Sequence, residues 1–100
     1  MTFIEHTVKG LRRMLVADGI DPGRLHVHLS EIGPGTRAHP AHAHGGMEAF
    51  LVLEGNGVVE TGGSSQPIGS EECLVLDARH EHGLFNPGPG RLRYLVITTP

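Results

Sequence analysis

The chemistry available to this chain rests mainly on three histidines and one glutamate. His42 and His44 stand two residues apart, Glu48 follows after the pair Gly45-Gly46, and His82 lies far downstream in His82-Gly-Leu-Phe-Asn86. On an extended backbone, side chains at i and i+2 leave the same face, so both imidazoles can grip one ion from one side. The paired glycines permit a sharp bend that returns the Glu48 carboxylate toward the same point. His82 would supply a fourth ligand from a distant strand. Imidazole and carboxylate together suit a divalent first-row transition metal (Fe, Mn, Ni or Zn) rather than calcium or magnesium. Such a set leaves two cis positions of an octahedral ion open to water, dioxygen or a bidentate substrate. Fe(II), or Mn or Ni, would then support dioxygenation. Zn or Mn would act as a Lewis acid for isomerase, lyase or hydrolytic chemistry, with Glu48 doubling as a base in either case.

The elements that must hold these groups are short strands. Fifteen glycines and seven prolines in 100 residues favour tight turns over helices. An early strand is expected at Leu11 to Ala17. Residues Leu25 to Ile32 alternate, with Leu25, Val27 and Leu29 on one face and His26, His28 and Ser30 on the other. The segment His42 to Leu53 reads as two extended pieces joined at the glycine pair. Gly55-Asn56-Gly57 is a turn into Val58-Val59-Glu60, and Thr61-Gly62-Gly63-Ser64-Ser65 is a hairpin tip. Strands at Glu72–Leu76, His80–Phe85 and Arg91–Thr98 follow. No repeat or long linker divides the chain, so residues 1–100 read as a single domain.

The metal-ligand candidates also carry a family resemblance. His42, His44, Glu48 and Gly55 resemble the first cupin motif, His-x-His-x3-Glu-x6-Gly, although the lead from Gly35 to His42 is one residue longer than usual. Gly69, Leu74-Val75-Leu76, His82 and Asn86 resemble the second motif, which ends in His-x3-Asn. Its usual proline and glycine are replaced by Asp77 and Arg79. The resemblance implies an all-β, jelly-roll β-barrel with metal ligands His42, His44, Glu48 and His82. It gives Asn86 a role in supporting the strand end. It also selects His82 over His80 as the ligand, since only His82 has the asparagine four residues on.

The remaining candidates have weaker claims. His80 shares parity with His82 and is a candidate catalytic base beside the metal, a substitute ligand or a rim residue, with the rim favoured because turns near this motif break parity. His39, before Pro40, is expected at the mouth or facing solvent. His26 and His28 read as a solvated strand face, with a place lining the pocket as the alternative, Cys73 as a small core residue, and Phe50, Val52, Leu84 and Tyr94 as barrel filling, with Phe50 also placed to wall the site.

Composition narrows the partners. A net charge of −3 gives no electrostatic case for nucleic acid. No apolar run approaches the ~20 residues that span a bilayer, and the N-terminus lacks a secretory pattern, so a cytoplasmic protein without membrane partners is expected. The run Glu48-Ala-Phe-Leu-Val-Leu-Glu54 is apolar on both faces, which calls for cover on its outer side and predicts a homodimer. Two functional readings follow. One is a metal-dependent enzyme, of dioxygenase or isomerase/lyase type, acting on a small organic molecule. The other is a non-catalytic module that binds a small molecule or only the metal.

Overall fold

The computed structural model describes residues 2–4 and 14–100, with side chains from Leu15 onward. Nine strands follow one another: β1 (Thr2–Ile4), β2 (Met14–Val16), β3 (His26–Ile32), β4 (Met47–Glu54), β5 (Asn56–Thr61), β6 (Ser64–Gly69), β7 (Cys73–Asp77), β8 (His82–Phe85) and β9 (Leu92–Thr98). The only helix among the described residues is a short 3-10 turn at Pro22–Arg24, too short to cross a membrane. The early strand expected at Leu11 to Ala17 is realised as β2, and residues 11–13 lie outside the described part.

Two antiparallel sheets face each other, ordered β3-β9-β4-β7 and β6-β5-β8. Their inner faces share one core, in which Ile32, Phe50, Val52, Leu92 and Tyr94 of the larger sheet meet Val59, Ile68 and Leu84 of the smaller. This is the expected all-β jelly roll. The hairpin tip is the Gly62-Gly63 turn between β5 and β6, with both glycines at positive φ (50° and 87°), the conformation a two-residue hairpin demands. Pro67 falls on β6, an edge strand, where its missing N–H breaks no interior ladder.

Register places the polar groups. In β4 the residues Glu48, Phe50 and Val52 point inward and are buried, while Ala49 and Leu51 point outward. Strand β9 lies between β3 and β4, so Ser30, Tyr94 and Val52 form one inward-facing row, and His28, Val96 and Phe50 form the next.

The alternation expected in β3 holds, but its sense is reversed. Ser30 is 2% exposed and His28 lines the interior cavity, whereas Val27 and Leu29 lie half-buried on the outer face. The solvated-face reading therefore fails for His28 and holds for His26, which is exposed at the strand start. The cause is the polar interior: the inner face of this sheet includes the buried Glu48 carboxylate and a cavity, so β3 turns its polar side in. Cys73 departs from expectation in the same way, standing exposed on the outer face.

Candidate metal centre

Four side chains converge at one end of the inter-sheet space. Ligand-capable atoms of His42, His44, Glu48 and His82 all lie within 4.8 Å of one another. The three imidazole centroids form a near-equilateral triangle, with His42–His44, His42–His82 and His44–His82 separations of 5.0, 4.9 and 5.0 Å and rings steeply inclined to each other. Glu48 presents one carboxylate oxygen to each of two histidines, Oε1 at 3.4 Å from His44 Nε2 and Oε2 at 2.8 Å from His82 Nε2.

Strand geometry alone does not assemble this group. The residues before β4 form no regular strand; His42 instead makes an isolated bridge to His82. Its N–H donates to the His82 carbonyl at 3.0 Å, and the His82 N–H donates back to the His42 carbonyl at 2.8 Å. The His44 N–H donates to the Ala78 carbonyl (2.8 Å), and the Ala78 N–H donates to the Gly46 carbonyl (3.1 Å). The first motif is thus laced to the second by backbone hydrogen bonds. Gly46 is required for this path: its φ is +77°, and a Cβ there would sit 2.0 Å from the Thr99 carbonyl oxygen.

The turn before His82 compensates for the departure from the family pattern. The Asp77 carboxylate accepts from the Arg79 backbone N–H (3.0 Å) and from the Arg79 guanidinium (Nε at 3.0 Å, Nη2 at 2.7 Å). This pairing holds the exposed Asp77 carboxyl well below the usual carboxylate range. The His80 N–H then donates to the Asp77 carbonyl at 3.2 Å. Two charged residues close the turn here.

This turn also decides the case of His80. It breaks the strand, β8 begins only at His82, and the His80 side chain is exposed and outside the cavity lining. The catalytic role expected for His80 is not supported by this placement; the rim alternative describes it. Its contribution is a backbone one, because the His80 carbonyl lies 2.8 Å from His82 Nδ1. That contact places the proton on Nδ1 and turns the unprotonated Nε2 toward the cluster, as a ligand requires. His44 is arranged likewise, with Nδ1 at 2.9 Å from the Gly45 carbonyl.

The donor set fits a cation on an observation independent of motif. His82 Nε2 is fully buried and has no regular hydrogen-bond partner, although it stands 2.8 Å from Glu48 Oε2. A divalent ion shared between this nitrogen and the carboxylate would give both buried atoms a partner. His42 is poised for the same purpose. Burial, followed by the neighbouring imidazoles of His39, His82 and His44, lowers its pKa from 6.5, with Glu48 opposing, so the neutral ligating form is favoured.

His39, placed by sequence at the mouth or in solvent, stacks on His42 with ring centroids 4.1 Å apart and lines the cavity. The cavity itself holds about 250 Å³. Phe50, Leu84 and Val96 form its apolar wall, and Ser30, Tyr94, His28 and Thr98 its polar wall. Sequence reasoning assigned Tyr94 to barrel filling and Ser30 to no site; only the β3–β9 pairing brings the two together.

Comparison with known proteins agrees with this architecture. The family model for the cupin domain matches residues 28–98, and the chain belongs to that family. Among curated proteins, dimethylsulfoniopropionate lyase DddW of Ruegeria pomeroyi is 34% identical over 73 residues. That match takes in 73% of this chain and 47% of the lyase, so the chain spans about half the length of the curated relative. Among solved structures, a cupin superfamily protein from Desulfitobacterium hafniense superposes with a TM-score of 0.70 at 21% identity, covering 86% of this chain and 72% of that one. A protein of Acidithiobacillus ferrooxidans described as a putative sugar phosphate isomerase gives 0.69 at 28% identity, covering 77% of this chain and 51% of that one.

Proposed function

We propose that this cupin is a metal-dependent enzyme of lyase or isomerase type, acting on a small oxygen-bearing organic molecule. The observation that carries the reading is the convergence of His42, His44, Glu48 and His82 at the edge of a cavity with apolar and polar walls. A divalent transition metal held there would supply Lewis-acid polarisation of a substrate oxygen. The chain's own groups do the rest. His82 and His44 hold fixed tautomers through their Nδ1 contacts. Phe50, Leu84 and Val96 exclude water from the reacting end, and buried Glu48 provides a carboxylate whose two oxygens already face different partners. A carboxylate so placed can exchange one contact for a substrate proton and serve as the base.

The volume limits the substrate. At ~30 Å³ per molecule of liquid water, the cavity corresponds to roughly eight waters. The lyase relative favours the Lewis-acid half of the sequence expectation over the dioxygenase half, and dimethylsulfoniopropionate belongs in the first substrate panel beside short hydroxy and oxo acids. The test is metal analysis of tag-free protein, followed by turnover of that panel after loading with Fe, Mn, Ni or Zn. Stoichiometric metal with turnover in at least one case is expected. Stoichiometric metal with no turnover across the panel would favour the non-catalytic binding module instead.

A homodimer is part of the same proposal. The outer face of the larger sheet carries two apolar rows across four strands, Val27-Ile97-Ala49-Val75 and Leu29-Leu95-Leu51-Cys73. These side chains are half-buried or exposed, Val75 at 62%. A second copy laid on this face would cover both rows. Light scattering should give a dimer for the native chain and a monomer for Leu95→Lys; a native monomer at micromolar concentration would rule it out.

A further inference from the structure

The polar wall of the cavity opposite the ligand cluster has no role in holding a metal. Ser30 and Tyr94 are direct partners in the β3–β9 pairing, so their side chains leave the same face, and both line the cavity. Each is only 2% exposed. The Ser30 hydroxyl makes no regular hydrogen bond, and the polar group it meets is the Tyr94 hydroxyl, so the pair keeps donor and acceptor capacity unused. Buried hydroxyls are ordinarily satisfied, and one left open against a cavity is available to a ligand. The phenol beside it stays protonated at neutral pH, because burial raises its pKa and the Glu48 carboxylate adds to that, with only the adjacent Ser30 hydroxyl opposing.

The position of the pair matters as much as its chemistry. Tyr94 is opposite Val52 on β4, four residues beyond Glu48 on the same inward face. At ~3.3 Å per residue the backbone row bearing Ser30 and Tyr94 lies roughly 13 Å along the sheet from the row bearing Glu48, and the Tyr94 phenol reaches back far enough for the Glu48 carboxylate to act on it. The tyrosine ring leans beside Phe50, edge to face at 6.1 Å, and narrows the intervening space. The lining contains no lysine or arginine. An anionic group at this remote end would be buried without a counter-charge, whereas a neutral oxygen would meet two hydroxyls.

We infer that Ser30 and Tyr94 form the distal anchor of the substrate site, taking a neutral hydroxyl or carbonyl oxygen at the end remote from the metal. This rests on the metal-centre reading above. It makes the pair specificity-determining: the site selects short acids that carry a neutral oxygen at the far end and rejects those carrying a second carboxylate or a phosphate there.

The experiment compares two probe series on the zinc-loaded full chain by isothermal titration. One is 3-hydroxypropionate, 4-hydroxybutyrate and 5-hydroxypentanoate; the other is propionate, butyrate and pentanoate. At least one hydroxy acid should bind about tenfold more tightly than its alkyl counterpart. That preference should fall to within twofold in Ser30→Ala, Tyr94→Phe and the double variant, while zinc affinity stays unchanged, which also certifies their folding. A preference that survives both substitutions, or that never exceeds twofold in the native protein with zinc bound, overturns the anchor alone. Failure of the native protein to bind zinc overturns the metal centre on which it rests.

Discussion

Replacing Asn86 tests how the strand that begins at His82 is held. The side chain is 1% exposed and makes three hydrogen bonds: Nδ2 donates to the Ile32 carbonyl (2.9 Å) and the Gly90 carbonyl (2.8 Å), and Oδ1 accepts from the Gly88 N–H (2.8 Å). It thereby ties the end of β8 to the end of β3 and closes the turn leading into β9. Asn86→Ala removes all three and strands the buried Ile32 carbonyl. At about 1 kcal/mol net per bond, the loss is about 3 kcal/mol. For a domain of this size each kcal/mol moves the midpoint by ~4–8 °C, so melting should fall by roughly 12–24 °C.

Asn86→Asp sharpens the test. The shape and the acceptor for Gly88 remain, but an anionic oxygen replaces the donor and faces two carbonyl oxygens. Its folded-state pKa must therefore rise above ~3.9, the ordinary aspartate value. A carboxyl raised on folding contributes stability that is present below its unfolded pKa and is lost as pH rises through its folded pKa. Measured against Asn86→Ala to cancel other titrations, Asn86→Asp should gain stability as pH falls from 7 toward 4. Thermal melts give the first number and urea melts across that pH range the second. A midpoint drop under about 4 °C for Asn86→Ala, or a flat pH profile for the aspartate variant, would refute the hydrogen-bond account of this residue.

Further outcomes follow from the same geometry. His82→Ala and His42→Ala should each lower zinc or nickel affinity by at least a hundredfold by calorimetry, whereas His80→Ala should leave it unchanged because only its carbonyl supports His82. Metal lost in His80→Ala would show that its side chain has been misplaced. In the metal-free protein, His42 titrates lower folded than unfolded, so the unfolded chain binds more protons between the two values. The stability of the native protein relative to His42→Ala should therefore shrink as pH falls below 6.5, and a constant difference would contradict the shift. Gly55→Ala should cost about 2–4 kcal/mol, because φ is +94° and the new Cβ would sit 2.3 Å from the Arg91 carbonyl oxygen. Gly62→Ala, also at positive φ but with open space around it, should cost no more than about 1–2 kcal/mol; equal losses in urea melts would remove the steric argument.

The sequence was informative about the ligands because they are few, polar and spaced by a motif, and it was informative about strands because alternation survives folding. It was less informative wherever a long-range pairing decided the outcome. The i, i+2 spacing of His42 and His44 suggested a strand face, yet no regular strand forms there; the convergence comes from the His42 bridge to His82 and the His44 bond to Ala78. Parity likewise placed His80 beside His82, and parity failed because Asp77 and Arg79 form a turn between them. That turn was foreshadowed only by the absence of the family's proline and glycine. In β3, alternation separated Leu25, Val27 and Leu29 from His26, His28 and Ser30 but carried no sign of which face was interior. The usual rule, apolar side inward, gives the wrong answer because this sheet is apolar on part of both faces and encloses a cavity that needs polar walls.

That reversal explains why Ser30 and Tyr94 escaped a sequence reading that singled out all four members of the His/Glu cluster. A ligand set announces itself through residue type, since histidines and a carboxylate in register have few other uses. The polar cavity wall includes an ordinary serine, tyrosine and threonine, and only pairing reveals it. Here it depends on β9 lying between β3 and β4, so that Ser30 in β3, Val52 in β4 and Tyr94 in β9 share one inward-facing row. The metal cluster is drawn from the loop before β4, from β4 and from β8, while the polar wall is drawn from β3 and β9. Substitutions in β3 and β9 can thus change what the cavity accepts without touching a ligand. On the function proposed above, this separation would let one fold keep its metal site while its substrate varies.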